Sequence, residues 1–214
     1  MEKSKVQAPQ IQPQTQPQIQ SEAQRKRGRW KLLVVVAVCA APMIASYLTY
    51  YVIKPQSRTN YGALIDPRQY PIPALASTEL DGKPARLEDY KGKWVMLQVA
   101  GGECDDACKT RLFAMRQLRL MQGKEMERIE RVWLITDAKP LDTVLIREYD
   151  GTDMLRVDAK LLKAWLPTDA GTAMEDHIYI IDPLGNLMMR FPKDADPNKM
   201  KKDISKLLRA SAIG

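Results

Sequence analysis

The chain has 214 residues and carries 33 lysines and arginines against 26 aspartates and glutamates, a formal net charge of +7. Residues 1–31 hold seven of the basic residues and two of the acidic ones, so the other 183 residues are close to balance. A nucleic-acid groove needs basic side chains spread over a folded domain, so this local excess argues against that class.

Residues 7–24 are a run of Gln and Pro that cannot bury a core, which predicts a disordered tail over residues 1–29. The tail lacks the Arg/Ser-rich amphipathic pattern of a mitochondrial presequence, which favours a bacterial envelope protein. The cluster Arg25-Lys26-Arg27-Gly28-Arg29-Trp30-Lys31 then precedes Leu32–Ile53, which contains no charge. Twenty-two helical residues reach about 33 Å, enough for a hydrocarbon core. The spacing predicts one transmembrane helix over 30–53, with Trp30 at one end and Tyr47, Tyr50 and Tyr51 at the other as an aromatic belt. The basic side is expected in the cytoplasm, placing the remainder outside the bacterial inner membrane, in the periplasm. The apolar run is longer than a signal peptide's, and Pro42 after Ala40-Ala41 is a poor cleavage site, so a retained anchor is expected. Cys39 lies inside this run and reads as a small apolar residue.

Pro55, Pro67, Pro71 and Pro73 mark residues 54–73 as an extended linker. Residues 74–214 read as one folded domain. Asp81-Gly82 is a turn between two short extended pieces. Trp94–Val99 and Arg131–Thr136 are apolar runs of the kind buried central strands have. A helix is expected from Asp105 to about Met121, and another from Pro140 to about Glu148. Met154–Val157 is a short strand, followed by a helix capped by Asp158 and stopped by Pro167. His177–Ile181 and Leu187–Phe191 form a hairpin around Asp182-Pro183-Leu184-Gly185-Asn186. Pro197–Arg209 is an amphipathic helix with Met200, Ile204, Leu207 and Leu208 on one face. This alternation predicts an α/β domain: a mixed sheet flanked by helices on both faces.

Outside the anchor the chain has two cysteines, in Cys104-Asp105-Asp106-Ala107-Cys108, and one histidine, His177. A spacing of four on a helix brings two thiols within reach of one another, for a disulfide or a shared metal. The helix N-terminus favours thiolate, while Asp105 and Asp106 oppose it. A purely structural disulfide closing so small a loop would contribute little by the chain-entropy account. The loop before the His177 strand is expected beside the loop after the Trp94 strand, with Asp176 as a partner that could orient the imidazole. Met96, Met115, Met121 and Met200 sit at core-like positions, and Met174 is a further soft donor near His177.

These residues resemble the Sco/SenC family of thioredoxin-like, membrane-anchored copper chaperones. The likeness rests on the single N-terminal span, Cys104-x-x-x-Cys108 after a strand, Asp176-His177 opening a later strand, and Asp182-Pro183-Leu184-Gly185 after it. Asp105 stands where Sco proteins usually have proline. The resemblance implies a thioredoxin-like domain with Cys104, Cys108 and His177 as copper ligands. It also implies delivery of copper to, or thiol reduction of, the copper-bearing subunit of cytochrome c oxidase. Three readings follow: a copper-binding assembly factor, a membrane-tethered thiol–disulfide reductase with Cys104 and Cys108 as its redox pair, and a non-catalytic assembly scaffold. The sequence holds no acid/base set or phosphate loop of a conventional enzyme.

Overall fold

A computed structural model describes residues 22–53 and 60–213. It divides into two units, Met1–Ser57 and Arg58–Gly214.

In the first unit, α1 runs over Glu22–Leu48 and continues as a π-helical turn over Thr49–Ile53. Arg29–Val52 is long and apolar enough to cross a membrane. The helix starts earlier than the sequence reading had it. Residues 22–29, assigned there to the disordered tail, are helical. Glu22, Ala23, Gln24, Arg25, Lys26 and Arg27 are all good helix formers and extend the anchor backwards. The rest of the tail, residues 1–21, lies outside the described residues.

The second unit contains eight strands, β1 (Ala63–Leu64), β2 (Ser77–Thr78), β3 (Pro84–Ala85), β4 (Trp94–Ala100), β5 (Ile129–Ile135), β6 (Asp153–Val157), β7 (Ile178–Ile181) and β8 (Leu187–Arg190). They form one sheet in the order β1-β8-β7-β4-β5-β6-β2-β3. β4, β5 and β6 are parallel, and every other pairing is antiparallel. Four α-helices are found among its described residues: α2 (Asp106–Leu120), α3 (Thr143–Glu148), α4 (Ala159–Trp165) and α5 (Pro197–Ala210).

All four helices start in the same way. Asp105, Asp142, Asp158 and Asp196 are their caps, and each carboxylate accepts a main-chain N–H, from Cys108, Val144, Lys160 and Asn198 respectively. Asp142, not Pro140, therefore opens α3. At α5, Pro197 takes the first helical position, where its missing N–H costs nothing.

β4 is buried along its whole length because both faces of the sheet are covered. Val95, Leu97, Val99, Val132, Leu134, Tyr179 and Ile181 face one way, with Leu162 and Trp165 of α4. Trp94, Met96, Ile129, Ile178 and Ile180 face the other, under Met115 and Leu118 of α2 and Met200, Ile204 and Leu208 of α5. Met96, Met115 and Met200 are thus core residues, whereas Met121 is exposed.

The linker expected over 54–73 also changes. Residues 54–59 lie outside the described residues, but the chain is part of the fold by Tyr61. β1 pairs with β8, Pro71 bridges Asn186, and Asp203 of α5 accepts the N–H groups of Tyr61 and Gly62. Pro71, in its bridge to Asn186, is compatible with a segment along a sheet edge, where a ladder N–H is not needed at every position.

Candidate functional site

β4 ends at Ala100, and Gly101-Gly102 carries the chain from the strand to α2. These glycines answer to close approaches. A β-carbon on Gly101 would stand 2.7 Å from Asp137 Oδ2, and one on Gly102 would stand 2.7 Å from the main-chain oxygen of Lys139. Asp137 also accepts the N–H of Gly102. The turn is thereby held against the end of β5, and it delivers Cys104 and the Asp105 cap.

Cys104 and Cys108 are joined in a disulfide, with a Cα–Cα separation of 5.1 Å. They do not share a helical turn, as the spacing had suggested. Cys104 precedes the cap in a left-handed conformation, φ 41°, and only Cys108 lies inside α2. The backbone turns there because Asp105 adopts the extended cap geometry. Both cysteines are buried, together with Ala100, Leu112, Trp133, Ile135, Leu145, Tyr149 and Met154. The Gln98 side-chain amide donates to Cys108 Sγ at 3.5 Å.

His177 directly precedes β7, and the next residue, Ile178, pairs with Gln98. The histidine and the cysteines therefore lie toward the same end of the sheet. The imidazole is fully buried. Its Nδ1 lies 2.8 Å from the main-chain oxygen of Phe191, and its Nε2 lies 2.7 Å from the Thr172 hydroxyl. A carbonyl oxygen only accepts, so Nδ1 carries the proton and donates. Nε2 then carries the lone pair and faces Thr172. The single Thr172 proton is shared between Nε2 and the Asp169 main-chain oxygen, 2.9 Å away.

Asp176 does not orient the imidazole. Its carboxylate accepts the N–H of Ala173 and pairs with Lys193. These contacts, the Ala173 N–H foremost, hold the carboxyl below its ordinary value. Met174 is buried with Leu97 and Tyr179, in the core on the face of the sheet opposite α2. A cavity of about 170 Å³ separates α2 from the start of β7, lined by Ala107, Arg111, Asp176, Ile178 and Phe191 among others. Burial lowers the Arg111 pKa, opposed by the carboxylates of Asp105, Asp176, Asp194 and Glu175.

Among the described residues no three His, Cys, Asp or Glu side chains form a ready metal cage. The donor chemistry nonetheless suits a soft ion. Reduction frees two thiolates, and an Nδ1–H bound to a carbonyl is the usual arrangement of a ligating histidine, leaving Nε2 to bind. Gln98 and Thr172 were not singled out from the sequence. Gln98 was visible as the one amide in an apolar strand, whereas nothing in the sequence marks Thr172.

The transmembrane-like, thioredoxin-like C-terminal domain family matches residues 94–211, and the companion transmembrane-like N-terminal domain matches residues 22–52. No curated protein matches. Among solved structures, a SCO1/SenC family lipoprotein from Bacillus anthracis is 19% identical, covering 68% of this chain and 99% of its own, at a TM-score of 0.52. An electron transfer protein from Aquifex aeolicus, described as putative, is 15% identical, covering 67% of this chain and 95% of its own, at a TM-score of 0.50. Copper-bound ScoI of Bradyrhizobium japonicum is 19% identical, covering 64% of this chain and 97% of its own, at a TM-score of 0.48. With a membrane-type helix followed by this sheet and its helix-start cysteine pair, the chain belongs to the transmembrane-like, thioredoxin-like family, and its folded domain shares the thioredoxin-like fold of Sco/SenC proteins.

Proposed function

We propose that this protein is a membrane-anchored, Sco-like dithiol–disulfide factor of cytochrome c oxidase assembly. In this reading the reduced Cys104/Cys108 pair takes Cu(I) as cargo, with His177 Nε2 as the third donor. The domain stands on the periplasmic side of a bacterial inner membrane and meets the copper-bearing subunit of the oxidase. The observation that carries the reading is the Cys104–Cys108 disulfide at the start of α2, toward the sheet end where a buried histidine keeps its Nε2 lone pair. A reduced dithiol partner converts the disulfide to two thiols and is itself oxidised to a disulfide, a two-electron exchange. Cu(I) binding then releases the thiol protons.

The test is a Cu(I) titration of the reduced full-length protein in detergent, in a Cys39→Ala background, against a competing chelator. One equivalent binds, Cys104→Ser/Cys108→Ser abolishes binding, and His177→Ala weakens it by about tenfold or more. Unchanged affinity in His177→Ala removes the histidine from the site. No binding at all removes copper from the reading.

A second reading, a tethered thiol–disulfide reductase without metal, is favoured by the Thr172 hydroxyl against Nε2. There, either Cys→Ser change abolishes disulfide exchange while His177→Ala leaves it intact.

A further inference from the structure

Arg131 lies near the start of β5, on the face that also carries Trp133 and Ile135, because alternate residues of a strand point the same way. The residue is only 5% exposed. Its Nη2 donates to the main-chain oxygen of Asp150 at 2.8 Å. Nε and Nη1 are buried and have no hydrogen-bond partner. Among the described residues no carboxylate pairs with the group. An arginine stays charged at neutral pH, and a buried charge without a counter-charge is costly.

The surrounding charges enlarge the deficit. Burial lowers the Arg131 pKa, and the positive charges of Arg119 and Arg116 lower it further, against Asp150 and Glu130. Arg119 is paired with Glu127. Arg116 donates to the main-chain oxygen of Glu148 and lies over the rings of Phe113 and Tyr149, with no carboxylate partner among the described residues. The two acids near Arg131 do not close the gap. The Asp150 carboxylate accepts the N–H of Gly151, and Glu130, next in the strand, points to the other face of the sheet.

A second unsatisfied group stands beside Arg131. β6 pairs with β5 in the register Val132 to Asp153 and Trp133 to Met154. Thr152, one step earlier, therefore comes next to Arg131 on the same face. It is buried, and its hydroxyl has no partner. A water molecule satisfies a donor but supplies no charge.

We propose that Arg131, Arg116 and Thr152 form a binding site for a small inorganic oxyanion of the phosphate or sulfate class. Guanidinium groups match oxyanions in both shape and charge, and the threonine hydroxyl adds a neutral donor. The ion ties the second half of α2 to the turn between α3 and β6. This site lies toward the other end of β5 and α2 from the cysteines, so it stands apart from the metal and redox readings of the pair. A cleft of about 460 Å³ reaches Asp150, Gly151 and Thr152 from the β6 edge. Glu79, Asp81 and Asp153 also line that cleft and repel an acidic protein or an anionic lipid surface, so the occupant is a free ion.

The test titrates inorganic phosphate into the full-length oxidised protein in detergent, with ionic strength held constant by sodium chloride. Calorimetry reads the stoichiometry, and the melting temperature is followed over the same series. The parent binds one equivalent, and its melting temperature climbs with phosphate as a ligand of the folded state requires. Arg131→Met loses the binding heat and keeps only the general response of any protein to phosphate. Arg116→Gln and Thr152→Val leave Arg131 in place, carry the test if Arg131→Met does not fold, and each weaken binding by about fivefold. Cu(I) binding by the cysteine pair is the same in Arg116→Gln as in the parent. No binding heat in the parent overturns the inference, as does phosphate binding that is equal in the parent, Arg116→Gln and Thr152→Val.

Discussion

The imidazole Nδ1 of His177 donates to the main-chain oxygen of Phe191 across 2.8 Å, tying the residue before β7 to the residue after β8. The hairpin thereby fixes the ring's orientation and its tautomer. Only Nε2 remains as a donor to a metal, and the Thr172 hydroxyl competes for it.

Thr172→Val is therefore expected to tighten Cu(I) binding by roughly fivefold, the ~1 kcal/mol of one neutral hydrogen bond. The gain disappears in a Thr172→Val/His177→Ala double variant, because the competition no longer exists. Chelator competition measures both. A gain that survives without His177 would show that the threonine acts on some other part of the site.

The Asp105 carboxylate accepts the Cys108 N–H at 2.8 Å and starts α2. Asp105→Ala is expected to cost about 1 kcal/mol of stability, with Asp105→Ser much closer to the parent. Urea unfolding of both variants checks the order. An alanine variant as stable as the parent would mean the cap contributes nothing net.

The two glycines before Cys104 differ in what opposes a methyl group. Gly102→Ala meets the backbone oxygen of Lys139, and Gly101→Ala meets the side chain of Asp137. Backbone cannot swing aside, so Gly102→Ala is expected to be the more damaging, at about 1–3 kcal/mol. Denaturation midpoints rank the pair directly.

The Asp176 carboxyl lies below its ordinary value of 3.8, first through the Ala173 N–H and then through Lys193. A depressed carboxyl stabilises the fold above its unfolded value, and that contribution fades as pH falls through the folded one. Asp176→Asn therefore loses stability at neutral pH, and its deficit narrows below about pH 3.8 as the parent's carboxyl protonates. Unfolding curves collected from about pH 7 down to about pH 2, across the carboxylate range, test this. A deficit that stays constant with pH would assign the loss to shape rather than charge.

Where burial and charge repeat along the chain, the sequence was a good guide. The apolar run Trp94–Val99 is the centre of the sheet, and Asp158 caps a helix as its position implied. That Cys104 and Cys108 can reach one another was also legible, since they lie only four residues apart. The misreadings share a different cause. Tyr61, Gly62 and the proline-bearing strip after them looked like a spacer because their partners, Asp203 and β8, are far away in the chain. The role given to Asp176 failed likewise. Its sequence neighbour is His177, but its bonds go to Ala173 and Lys193, while the imidazole is held by Thr172 and Phe191. A pattern along the chain cannot report a partner chosen by a turn.

The attachment of Tyr61 and Gly62 to Asp203 also has a mechanical meaning. A domain tethered to a membrane is pulled through the first residues that are fastened to it. Among the described residues those are Tyr61 and Gly62, clamped to α5, and β1, which sits at the outer edge of the sheet. Tension on the tether enters at that rim and would peel β1 from β8 first. The disulfide hangs from β4, three strands further in, with β8 and β7 between it and the load. The domain can strain at its mooring without the cysteine pair changing shape.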